Sequence, residues 1–144
     1  MKKILFPIFC CLLLTVCLTA SAQNKQVAGA QFTFKEGDTH DFGVIQRGPV
    51  AMHKFEFTNT GNQPLIVMDV KPSCGCTNVD WVKQPVLPGQ KGWVQLGLKT
   101  EEQHGVFNKE VYIQSNAVTP NGEKRYTLYI KGNAVGEVED EAKE

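Results

Sequence analysis

Val50-Ala51-Met52-His53-Lys54-Phe55-Glu56-Phe57-Thr58-Asn59 is the run on which the fold turns. Ala51, His53, Phe55 and Phe57 fall on one face of an extended chain, and Lys54, Glu56 and Thr58 fall on the other. That alternation belongs to a strand with one face against a core and the other in water. The run ends at Asn59-Thr60-Gly61-Asn62, where Gly and Asn are expected to take the positive φ of a tight reversal.

The same period recurs on both sides. Before it, residues 31–35 put Phe32 and Phe34 on one face, and residues 41–45 form a further short strand. After it, residues 65–71 put Ile66, Met68 and Val70 together until Pro72, which has no amide to give a ladder. Residues 77–82 form a shorter extended piece carrying Trp81, and Pro85, Pro88 and Gly89 turn the chain into residues 91–100. There Val94, Leu96 and Leu98 alternate, while Gly92 and Gly97 mark bulges or close approaches. Residues 106–115 turn Phe107, Val111 and Ile113 inward, Pro120-Asn121-Gly122 reverses the chain, and residues 124–133 turn Tyr126, Leu128 and Ile130 inward. No helical period appears after residue 22. Seven or eight short strands in about a hundred residues specify an all-β, immunoglobulin-like antiparallel β-sandwich, with a closed barrel as the competitor. Residues 30–135 are near the ordinary size of one domain and can bury a core without a cofactor.

The flanks carry addressing rather than fold. Lys2 and Lys3, an apolar stretch from Ile4 to Leu18, and Ala20-Ser21-Ala22 make residues 1–22 a secretory signal peptide with cleavage expected after Ala22. Its apolar stretch falls short of the roughly 20 residues of a membrane span, so no transmembrane anchor is expected in the mature form. Leu14-Thr15-Val16-Cys17 also resembles a lipoprotein signal, which would put a lipid anchor on Cys17, although Val16 stands where a small residue is wanted. Residues 23–29 form a short linker, and residues 136–144, with Glu137, Glu139, Asp140, Glu141 and Glu144 against Lys143, form an acidic tail expected to be disordered. The expected location is the periplasm, cell envelope or exterior. The 15 basic and 15 acidic residues balance, and loss of Lys2 and Lys3 with the signal leaves a net charge of about −2. No basic patch argues for nucleic acid.

Removal of the signal takes Cys10, Cys11 and Cys17 with it and leaves Cys74-Gly75-Cys76. In an oxidising compartment such a pair can be bridged. Residues two apart in a fully extended strand sit near the limit of about 6.8 Å between α-carbons for a bridge, so a bend at Gly75 is required, and its strain would favour reduction. Three readings stand: a structural bridge or packed thiols, thiol-disulfide exchange, and a Cu(I) site on two thiolates. Exchange needs a helix N-terminus or a nearby cation, and Lys71 is the closest charge in sequence.

Phe55-Glu56-Phe57-Thr58-Asn59-Thr60-Gly61, Pro64-Leu65, Pro72-Ser73-Cys74-Gly75-Cys76-Thr77, Pro88-Gly89 and Ser115-Asn116-Ala117 stand in an order that resembles the bacterial domain-of-unknown-function 1573 family. The resemblance covers about residues 30–134, including Asp41-Phe42-Gly43. It implies an immunoglobulin-like sandwich similar to cilia-associated, major-sperm-protein and pilus-chaperone domains, of a kind common in exported Bacteroidetes-like proteins, and it implies no settled activity.

Other chemistry is sparse. There is no Gly-x-Ser-x-Gly, no phosphate-cradling glycine loop and no His-Glu-x-x-His, so an enzyme of the usual kinds is not expected. His53, on the inward face of its strand, is a candidate metal ligand set against the plainer role of a hydrogen-bonded strand histidine, and His104 in a polar loop is expected to be solvated. Asp38 and Asp41 flank His40, a pattern that a turn before an edge strand produces without catalysis. Trp93 lies opposite the Val94, Leu96 and Leu98 face and is the candidate contact for a protein partner. The sequence thus supports a noncatalytic binding or assembly module of the cell envelope, with a thiol redox or Cu(I)-binding protein as the alternative.

Overall fold

The computed structural model describes residues 28–119, 122–123 and 125–136. The expected signal peptide, residues 1–22 with Cys17, and the acidic residues 137–144 lie outside the described residues, as do Pro120 and Asn121 of the last reversal. Eight strands follow one another: β1 (Phe32–Phe34), β2 (Thr39–Gln46), β3 (Val50–Asn59), β4 (Val67–Pro72), β5 (Thr77–Trp81), β6 (Lys91–Lys99), β7 (Gly105–Ser115) and β8 (Arg125–Val135). A 3-10 turn, Thr100–Glu102, is the one helical element among the described residues, and no helix among them is long and apolar enough to cross a membrane.

The strands form two four-stranded sheets, ordered β1-β3-β6-β5 and β2-β8-β7-β4. Five pairings are antiparallel and one, β2 with β8, is parallel. The parallel pair arises because the chain changes sheets between β1 and β2, so β2 enters the second sheet running the same way as β8. Gly37 makes the crossing with φ +81, a left-handed value that glycine adopts without steric cost.

Between the sheets, Phe55, Phe57, Val94, Leu96 and Leu98 meet Val70, Val111, Ile113, Leu128 and Ile130. β3 keeps its expected face throughout. At the β1 end, Phe32 packs edge-on to Phe57 at 4.8 Å and Phe34 meets Tyr126 of the opposite sheet at 5.1 Å, so an aromatic cluster closes the sandwich there. Gly92 and Gly97 mark close approaches, since the β3–β6 register runs unbroken past both. A β-carbon on Gly92 would run into the Phe57 ring, and one on Gly97 would lie 2.8 Å from the Met52 sulfur.

Two expectations are corrected. Ile66 and Met68 do not share the buried face of Val70. They are exposed while Leu65, Val67 and Val70 are buried, because the β4–β7 register shifts between Val67 and Asp69. One extra residue in a strand reverses the facing of everything beyond it. At the Asn59-Thr60-Gly61-Asn62 reversal, Gly61 does not use a positive φ. It is glycine because a β-carbon would strike the Gly29 carbonyl oxygen and sit 2.7 Å from the Gln31 amide nitrogen.

Asn59 organises that reversal from a fully buried position. Its side-chain oxygen accepts from the amides of Gly61 (3.1 Å) and Gln31 (3.2 Å), and its side-chain nitrogen donates to the carbonyls of Gln63 (2.7 Å) and Val86 (2.8 Å). Its main chain continues the ladder, donating to Gln90 and accepting from Gly89. Asn59→Ala strands several of these groups, and urea denaturation is expected to show a loss of about 2–5 kcal/mol. The inverted facing in β4 makes a second prediction by the same measurement: Val70→Ala costs about 2 kcal/mol, whereas Met68→Ala stays within about 0.5 kcal/mol.

Candidate functional site

The cysteine pair sits in the connection that carries the chain from β4 in one sheet to β5 in the other. Pro72 closes β4, after which the Ser73 amide donates to the Glu110 carbonyl at 2.8 Å and the Ser73 hydroxyl accepts from the Glu110 amide at 3.2 Å. Cys74 and Cys76 are joined as a disulfide with α-carbons 5.3 Å apart. Cys76 is buried in the core, Cys74 is half-buried against it, and the Thr77 hydroxyl lies 4.0 Å from each sulfur. The Cys76 carbonyl accepts from the Lys99 amide, anchoring the turn to β6.

Bonded to each other, the sulfurs hold no thiolate for Cu(I), and exchange would begin with an outside thiolate attacking one of them. Gly75 is exposed, stands outside the set of glycines with positive φ, and has nothing within 4 Å of where a β-carbon would be. The bend at Gly75 therefore uses no left-handed conformation of the kind that favours glycine. Lys71 is engaged with Asp69 at 3.2 Å. A bridge closing so short a loop removes little entropy from the unfolded chain. Replacing both cysteines by serine is expected to lower stability by under about 2 kcal/mol in thermal or urea unfolding.

A second cluster lies at the opposite edge, where the chain crosses from β1 to β2. His53 projects from the inner face of β3, and the His40 ring of β2 stacks on it with centroids 3.4 Å apart and planes 9° from parallel. Phe42 stands edge-on to His40 at 4.6 Å, and Phe55 edge-on to His53 at 4.5 Å. The Glu36 carboxylate, from the crossing segment, completes a group whose donor atoms all lie within 4.8 Å of one another. Burial lowers the pKa of His53, the neighbouring His40 lowers it further, and Glu36 opposes both. No side-chain hydrogen bond among the described residues involves either ring, so His53 is held by stacking and aromatic edges.

The sequence placed His40 beside Asp38 and Asp41, and both carboxylates accept from near neighbours in the chain. Asp38 accepts from the Thr39 hydroxyl at 3.0 Å, and Asp41 accepts from the Gly43 amide at 2.8 Å and pairs with Lys131 at 3.5 Å. The Gly43 hydrogen bond, followed by Lys131, holds the Asp41 carboxyl below its usual range. His104 is exposed in its loop. The meeting of His40 with His53 was missed from sequence, although each lies on the inward alternation of its own strand beside Phe42 or Phe55. Trp93 is half-buried on the outer face of β6, opposite Glu56, with the Lys54 ammonium 4.9 Å from its ring.

Between these features β3 is only partly covered. β1 pairs with Phe57–Asn59, and the Lys35 amide reaches the Glu56 carbonyl. The strand alternates, so the amides of Lys54 and Met52 point to that same side, beyond the end of β1. A cleft of about 250 Å³ lies there, lined by Lys35, Glu36, Gly37, Lys54, Phe55 and Glu56. Val50 and Met52 beside it are exposed.

Two sheets linked by a strand that changes sides, with β2 parallel to β8, define an immunoglobulin-like sandwich. The chain belongs to the family described as Protein of unknown function (DUF1573), whose model matches residues 32–134. No curated protein matches the chain. Among solved structures it is similar to a protein of unknown function from Porphyromonas gingivalis W83, with TM-score 0.59 and 15% identity over 72% of this chain and 46% of that one. It is similar to the VesB protease of Vibrio cholerae, with TM-score 0.56 and 15% identity over 72% of this chain and 32% of that one. It is also similar to PapD-like domain 7 of human CEP192, with TM-score 0.54 and 10% identity over 77% of this chain and 89% of that one. The chain thus spans less than half the length of either bacterial protein, and at these identities the likeness is one of fold.

Proposed function

We propose that the chain is an exported, noncatalytic binding module of the cell envelope that takes an extended segment of a partner protein along the uncovered edge of β3. The reading is carried by the stretch from Val50 to Phe55, where main-chain amides face outward past the end of three-residue β1. A sheet edge of this kind accepts an added strand, with main-chain hydrogen bonds giving affinity and neighbouring side chains giving selectivity. Exposed Val50 and Met52 supply apolar contact, and Lys35, Lys54, Glu36 and Glu56 set charge on the cleft. The signal-like N-terminus, read from sequence, supports the location.

A photo-crosslinking residue at Met52 tests this in the native cell. A discrete protein adduct is expected at Met52 and not at Lys131 on the other sheet. Met52→Pro removes an outward amide at an edge position that tolerates proline, so it is expected to abolish partner capture by the edge while leaving the unfolding midpoint nearly unchanged. An adduct equally strong at both sites, or capture that survives the proline, overturns the reading.

The thiol alternative rests on one observation, the half-buried position of Cys74 in a bonded pair. Exchange or Cu(I) binding would require the pair to open under mild reductant. Free-thiol labelling of the mature protein decides that point independently of the edge.

A further inference from the structure

Three donor groups converge at the crossing from segments far apart in the chain. Glu36 comes from the connector, His40 from β2 in one sheet and His53 from β3 in the other, with donor atoms within 4.8 Å of one another. We propose that Glu36, His40 and His53 form a binding site for a divalent transition-metal ion of the zinc or copper(II) type. The site is separate from the cysteine pair and does not depend on the edge-binding reading.

Two imidazoles and one carboxylate are a donor set that zinc accepts with a solvent molecule in the fourth position, and imidazole suits copper(II) equally. A metal ligand must be an unprotonated imidazole. The edges of Phe42 and Phe55 stand against the two rings, at 4.6 Å from His40 and 4.5 Å from His53. The same phenylalanines restrict water on one side of the rings, while exposed Glu36 leaves the other side open for an ion to enter. Parallel rings direct their nitrogen lone pairs alongside each other. Convergence on one ion therefore calls for rotation about the soft terminal torsion of one ring. A bound ion would tie the connector and both sheets together at the edge that β1 leaves uncovered.

The test uses untagged, disulfide-intact protein dialysed against Zn²⁺, with bound metal counted by mass spectrometry. About one ion per chain is expected. His40→Gln and His53→Gln are each expected to weaken binding at least about tenfold, and Glu36→Gln by less. His104→Gln and the paired Cys74→Ser, Cys76→Ser variant should bind as the parent does. Substoichiometric Cu²⁺ added to the unaltered protein gives a second measurement that needs no variant: it should broaden the ring proton resonances of His40 and His53 before those of His104. Failure to bind Zn²⁺, retention of the ion in both histidine variants, or earliest broadening at His104 overturns the proposal.

Discussion

The buried side-chain amide of Asn59 is the interaction around which this sandwich is assembled. One planar group with two acceptor sites and two donor hydrogens serves Gln31, Gly61, Gln63 and Val86 at once. Those four residues belong to the entry to β1, the reversal after β3, and the approach to β6. A buried amide is favourable only when its partners are met, so the three segments are held in one mutual arrangement rather than merely packed together. The glycine at position 61 follows from the same constraint, because the chain passes against the Gly29 carbonyl with no space for a β-carbon.

Both candidate regions lie where the chain leaves one sheet for the other. The Asn59 network holds the start of β1 against β3, but β1 lasts only three residues before its continuation crosses over as β2. That crossing leaves part of the β3 edge uncovered and brings His40 over His53. At the far side, the crossing from β4 to β5 holds the bridge between Cys74 and Cys76. Regular ladder satisfies its own backbone groups, whereas crossings expose edges and gather side chains from different sheets, which is where the proposed partner edge and the proposed ion site both lie.

Much of the fold was legible because strand periodicity is a local property. The bounds of β3 and its inward residues follow from the sequence, as do the inward faces of β6, β7 and β8. Local reading failed in β4, where an extra residue between Val67 and Asp69 reversed the facing of Ile66 and Met68. No residue type announces such a bulge, since it is set by pairing with β7. The reversal at Asn59 was legible as a turn, but its burial was not, because Asn is a turn former whether or not its side chain finds partners in distant segments. Of the sites, the cysteine turn could be read from spacing alone. The histidine cluster could not, since His40 and His53 are neither adjacent nor at a ligand spacing and lie in different sheets.

The sequence by itself determined an all-strand sandwich and a close cysteine pair at a strand exit, because alternation, turn residues and short spacings act between near neighbours in the chain. Only the tertiary structure decided which edge stays open, that β2 runs parallel to β8, that Asn59 is a buried hub, and that Glu36, His40 and His53 meet. Each of these depends on where the chain changes sheets, and that choice is made by packing and hydrogen bonding between residues distant in sequence.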